Sequence, residues 1–133
     1  MAESIALIFK DVSWDILSKE LSDIAENAGK KYWKYPSADD DYTLILYEYD
    51  SWLCECEPKE VYEITQRLGA EPSVTLCIEL RRTKQKHACN HAEAVVVALL
   101  KKHNGLVDDT IENLWSLSQI EKGGFLREYK RGL

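Results

Sequence analysis

The sequence predicts an α+β fold: a ferredoxin-like sandwich in which a four-stranded, mainly antiparallel sheet carries helices on one face. Three observations predict it. Short β-rich runs alternate with amphipathic helical segments in the order β-α-β-α-β-α-β-α. The run from Val74 to Arg81 alternates strictly, with Val74, Leu76, Ile78 and Leu80 on one side and Thr75, Cys77, Glu79 and Arg81 on the other, the mark of a strand with one buried face. Segments near 14–28 and 88–103 each present one apolar stripe, so both fit against the same sheet face. A parallel α/β sheet would need buried strands and right-handed crossovers, and the alternation at 74–81 argues against it.

Taken in order, Ser4 to Phe9 (SIALIF) is short, apolar and β-rich, a first strand. Trp14, Leu17, Leu21, Ile24, Ala25 and Ala28 recur at helical spacing and Gly29 closes the run, so a helix is expected over about 12–28. KKYWKYPSADDD reads as a loop. Tyr42 to Asp50 (YTLILYEYD) is the strongest strand; both its faces are apolar or aromatic, so it is covered twice or keeps one face for a partner. SWLCEC either extends that strand or turns away from it. Pro58 sits at the first position of a helix over 59–68 that Gly69 ends, an insertion in the central hairpin. RRTKQKH is a basic loop before the Ala88 to His103 helix, which Asn104-Gly105 terminates. LVDD is a fourth strand, and Ser116 with Gln119 has the capping-box spacing for a short helix near 117–122. Gly123-Gly124 then releases a basic tail, 125–133, expected to be loosely held.

At 133 residues the chain, 1–133, reads as one domain. No apolar run reaches the roughly 20 residues of a membrane helix, and the start has neither the basic region nor the cleavage pattern of a signal peptide. Four cysteines in such a chain point to free thiols and a cytoplasmic location. A net charge of -6 disfavours nucleic acid as a direct partner, because phosphates call for a basic face. Phosphate loops and nucleophile elbows are absent.

Two cysteine and histidine clusters invite a metal reading: CEC at Cys54 to Cys56, and KHACNH with His87, Cys89 and His91. Zinc wants four converging N or S ligands. On a helix His87 and His91 share a side while Cys89 faces elsewhere, and C-x-C is an unusual zinc spacing. Cys89 beside His87 at a helix start has the surroundings of an activated thiol, but no orienting third group accompanies it. Cys54 and Cys56 lie among acids, which dulls a thiol. Asp108-Asp109 suits a turn or cap better than acid–base chemistry. The reading is therefore a protein with no catalytic residues, no metal and no cofactor.

Charge segregation is the strongest feature. Between Asp39 and Glu60 there are eight acids against Lys59, a net -7, so the rest of the chain sums to +1. Tyr42, Tyr47, Tyr49 and Trp52 are interleaved with them. Acids steer a basic partner and aromatics anchor it. The expected partner-binding residues are Asp39, Asp40, Asp41, Glu48, Tyr49, Asp50, Trp52, Glu55 and Glu57.

A strand ending LIF, the central LILYEYD, the turn LGAEP, the strand TLCIEL, a small-residue helix and the closing GLVDDTIENLWSLSQI form a pattern. It resembles the small immunity proteins of bacterial polymorphic-toxin and contact-dependent growth inhibition systems. The resemblance spans most of the chain and rests on pattern, not on a catalytic signature. It implies a non-enzyme that binds and neutralises a cognate toxin domain, often a nuclease with a basic cleft. Two other readings stand beside it: a ferredoxin-like regulatory or ligand-binding module that dimerises through its sheet, and a metal-dependent protein using the Cys/His set.

Overall fold

Alternating apolar residues in four strands build the centre of the molecule. The computed structural model describes residues 3–37, 39–110 and 113–126. The elements in order are β1 (Glu3–Phe9), α1 (Trp14–Ile24), β2 (Glu26–Gly29), β3 (Tyr32–Tyr35), β4 (Leu44–Glu48), α2 (Trp52–Glu55), α3 (Pro58–Leu68), β5 (Val74–Leu80), α4 (Gln85–Lys102), β6 (Gly105–Asp108), β7 (Leu114–Trp115) and α5 (Leu117–Glu121). The strands form one open antiparallel sheet of seven, in the order β2-β3-β4-β5-β1-β6-β7. The fold is α+β as expected, but the sheet is wider than four strands.

The front face of this sheet is the main core. Ile5, Leu7 and Phe9 of β1, Leu44 and Leu46 of β4, Leu76, Ile78 and Leu80 of β5 and Val107 of β6 pack against Leu17 and Leu21 of α1, the Ala88, Ala92, Val95, Val96 and Leu99 stripe of α4, and Ile120 of α5. Burial at this scale, roughly 25 cal/mol per Å² of apolar surface, is the principal stabilising contribution. Ser13 caps α1, accepting from the Ile16 N–H, and Ser116 with Gln119 closes the capping box that the spacing predicts.

Several expectations are corrected. The helical run stops at Ile24: Ala25 is extended, and residues 26–29 form an edge strand paired with β3, so KKYWKY is a turn and a strand instead of a loop. Gly29 is needed there because the Tyr32 ring lies where a β-carbon would sit, 2.0 Å away. Of the two courses open to SWLCEC, it takes the one that turns away from the strand, and residues 52–55 make the single turn α2. The basic loop RRTKQKH is a 3-10 turn over Arg82–Lys84 followed by the first turn of α4, so His87 is helical. From Thr75 to Ile78 β5 is buried on both faces, Thr75 and Cys77 included, while Glu79 stays half-exposed. Phe125 and Leu126 of the expected loose tail belong to the core, with Phe125 edge-on to Trp115. The rest of that tail lies outside the described residues.

Helices are also not confined to one face. α3 lies behind the sheet, where Ile64 and Leu68 pack on Ile8 and Leu106, with Trp52 alongside. Its C-terminus is held from two sides. Lys10 Nζ donates to the Leu68 carbonyl at 2.8 Å, and Arg67 donates to the Leu114 carbonyl and to Gln119 Oε1 at 3.0 and 2.9 Å. Gly69, at φ 76°, provides the left-handed cap.

Candidate functional site: an acidic cleft behind the sheet

Cross-strand pairing sets a single row of back-face side chains in register: Tyr32, Tyr47, Cys77, Ala6, Asp108 and Leu114. Cys77 and Ala6 are small, as is Ser4 in the next row, so the sheet is low at this point. α2 and α3 stand above the depression and wall it. The result is a cleft of about 580 Å³, within the range of ordinary binding pockets.

Its floor is Ser4, Ala6 and Cys77; its walls include Tyr49, Trp52, Glu55, Cys56, Glu60, Glu63 and Asp108. Four carboxylates line it, and among the described residues no Lys, Arg or His does. Burial, then neighbouring Asp109 and Glu60, push the Asp108 carboxyl up from its ordinary value, partly opposed by the Thr110 N–H that it accepts at 2.7 Å. Burial, followed by Glu60, Asp108 and Glu55, pushes the Cys56 thiol up to about 11. Hydrogen bonding of the Tyr49 hydroxyl to Glu55 raises that phenol. Burial also raises Cys77, although Tyr47 and Ser4 hydrogen-bond to it. Each of these groups is pushed toward its protonated form, Asp108, Cys56 and Cys77 chiefly by burial and Tyr49 by its hydrogen bond to Glu55, with neighbouring acids adding to the shift. The cysteines stay thiols near neutrality, which does not suit nucleophilic chemistry. The cleft is built to receive positive charge beside two aromatic rings.

The nine expected binding residues do not form one surface. Tyr49, Trp52 and Glu55 line the cleft. Asp50 and Glu57 are exposed on either side of α2. Glu48 is paired with Lys31 at 3.1 Å. Asp39, Asp40 and Asp41 lie at the opposite end of β4 in a turn of their own. There Asp39 accepts from the Asp41 N–H, which lowers its carboxyl; Lys84 pairs with Asp41 at 2.6 Å; and Arg81 donates to the Asp40 carbonyl. Those three charges are partly answered in place. Glu60, Glu63 and Asp108 take their position in the cleft. The i, i+3 spacing of Glu60 and Glu63 was a readable sign of a shared helix face; nothing local to Asp108 marked it.

The histidine–cysteine cluster resolves differently. His87 and His91 are aligned, with ring centroids 6.4 Å apart, while Cys89 is fully buried in the front core. His91 Nδ1 lies 2.7 Å from Thr43 Oγ1, whose hydroxyl donates to the Tyr35 carbonyl, so the ring serves a structural bond between α4 and β4. Burial and then His87 lower the His91 pKa. Cys54 is exposed and Cys56 faces the cleft, so strand alternation does not align them. Among the described residues no three His, Cys, Asp or Glu side chains converge to hold a metal. Asp109 is buried and accepts from the Asn113 N–H and Trp115 Nε1, so both aspartates take the expected turn-forming role, Asp108 through the Thr110 N–H while also lining the cleft.

The chain matches no family model, no curated protein and no solved structure. No helix among the described residues is long and apolar enough to cross a membrane.

Proposed function

We propose that the chain is a cytoplasmic immunity protein that neutralises a cognate toxin domain, a nuclease with a basic cleft being the best fit. The partner would place a lysine or arginine in the cleft between α2–α3 and the sheet. The observation that carries this is the lining: four carboxylates and two aromatic rings, with no cation among the described lining residues. Carboxylates that mimic a phosphate backbone steer a basic partner in, while Trp52 and Tyr49 supply contact area and a face for the cation. The raised thiols and the turn-forming Asp109 leave a binding role as the better account of these residues. We also read β4-β5-β1-β6 with α1 and α4 as a ferredoxin-like core. The β2–β3 hairpin and β7 widen it, and α2–α3 are the insertion in its central hairpin.

The test is charge reversal in the cleft. The protein that co-purifies from the native host is titrated with wild type and with E60K/E63K. Affinity is expected to fall tenfold or more, with a flatter dependence on salt, while D39N changes it less than twofold. Equal affinity of E60K/E63K and wild type would remove the cleft from the account.

A further inference from the structure

The other half of the back face carries a different surface. Among the described residues no helix covers β3 and β4 there, and the half-exposed side chains of Tyr32, Lys34, Ile45, Tyr47 and Glu79 share one side. One cross-strand row is Lys34–Ile45–Glu79, because Lys34 pairs with Ile45 and Ile45 with Glu79. Its two ends have opposite charge and its centre is apolar. Among the described residues neither Lys34 nor Glu79 forms a salt bridge. Lys34 lies over the Tyr42 ring, 4.5 Å from its centroid, and Arg81 lies at 4.5 Å from the same ring. This aromatic, arginine-bearing strip has the composition of an interface core.

We propose that this strip is a homodimer interface with a two-fold axis running along β4. The argument is charge complementarity of the row with itself. Strands lie roughly 4.8 Å apart, so Lys34 and Glu79 stand roughly 10 Å apart with Ile45 midway. When two such faces stack, a two-fold axis parallel to the strands and passing over Ile45 reverses the row. Lys34 of each copy then faces Glu79 of the other, and Ile45 meets its own copy. An axis at right angles to that would set Lys34 on Lys34, which like-charge repulsion disfavours. The strip carries charges of both signs, Lys34 and Arg81 against Glu79, unlike the cleft, so the occupant that fits it best is a second copy instead of a basic partner. The contact is isologous and closed, so it yields dimers and not fibres. This inference does not rest on the toxin-binding reading.

Two single variants and their mixture test it by sedimentation equilibrium. Wild type is expected to dimerise. K34E places two acids on the strip and E79K two lysines, so each alone is expected to dissociate at least tenfold more readily. An equimolar mixture of K34E and E79K is expected to dimerise again, since every facing pair is then opposite in charge. The double variant K34E/E79K dimerises on its own for the same reason, and its dimerisation also shows that the substitutions leave the fold intact. A wild type that stays monomeric at roughly 100 μM, or a mixture that stays monomeric, would overturn the proposal.

Discussion

The two halves of the back face belong to one sheet yet present different surfaces. Around β1 and β6 the side chains at the sheet are small, α2 and α3 rise over them, and the walls are acidic. Around β3 and β4 the side chains are large, several of them aromatic, no helix among the described residues stands above them, and charges of both signs are present. The difference comes from two local choices: residue size along one cross-strand row, and the placement of an inserted helix. An acidic recess suits a projecting basic group, whereas a mixed-charge strip suits another such strip, and the two proposed contacts would share no residue.

Stability separates the faces first. Ile5 and Ile78 are fully buried in the front core. Ile5→Ala or Ile78→Ala is expected to cost roughly 2–5 kcal/mol in urea unfolding, as large-to-small core changes do. Ile45→Ala, on the open half, is expected to cost less than about 1 kcal/mol in the monomer. A similar loss at Ile45 would mean that the strip is packed from within and is not free for a partner.

A smaller effect sharpens the cleft. The Asp108 carboxyl is held above its ordinary 3.8, chiefly by burial. The folded state therefore binds more protons than the unfolded state between that value and the raised one, and stability falls as pH rises through this window. At neutral pH the ionised group is a net cost. Asp108→Asn keeps an acceptor for the Thr110 N–H and is expected to stabilise by roughly 0.5 kcal/mol at pH 7, with the gain vanishing by about pH 4, near the ordinary carboxylate value. Thermal melts across that range measure it. A variant less stable than wild type at pH 7 would show that Asp108 has a counter-charge after all.

Much of the fold was legible because local signals agreed. Alternation marked β5, Pro58 and Gly69 bracketed α3, and Ser116 with Gln119 announced α5. The β2–β3 hairpin was not, because Ala25 and Ala28 continued the helical spacing and Glu26–Gly29 is a polar edge strand with little apolar pattern of its own. The acidity was legible as a block in sequence, yet folding distributes it. Asp39 to Asp41 turn toward Lys84 and Arg81, while Glu55 is joined by Glu60, Glu63 and Asp108. A cleft whose floor joins Ser4, Ala6 and Cys77 depends on strand register, and register is a property of distant pairings that no single segment encodes.

Hydrogen–deuterium exchange of the protein with and without its co-purified partner tests the central claim most directly. The account predicts new protection at Tyr49 to Glu63 and at β6, around the cleft, with β3 and β4 unchanged. Protection confined to β3 and β4, with the cleft exchanging as in the free protein, would contradict it.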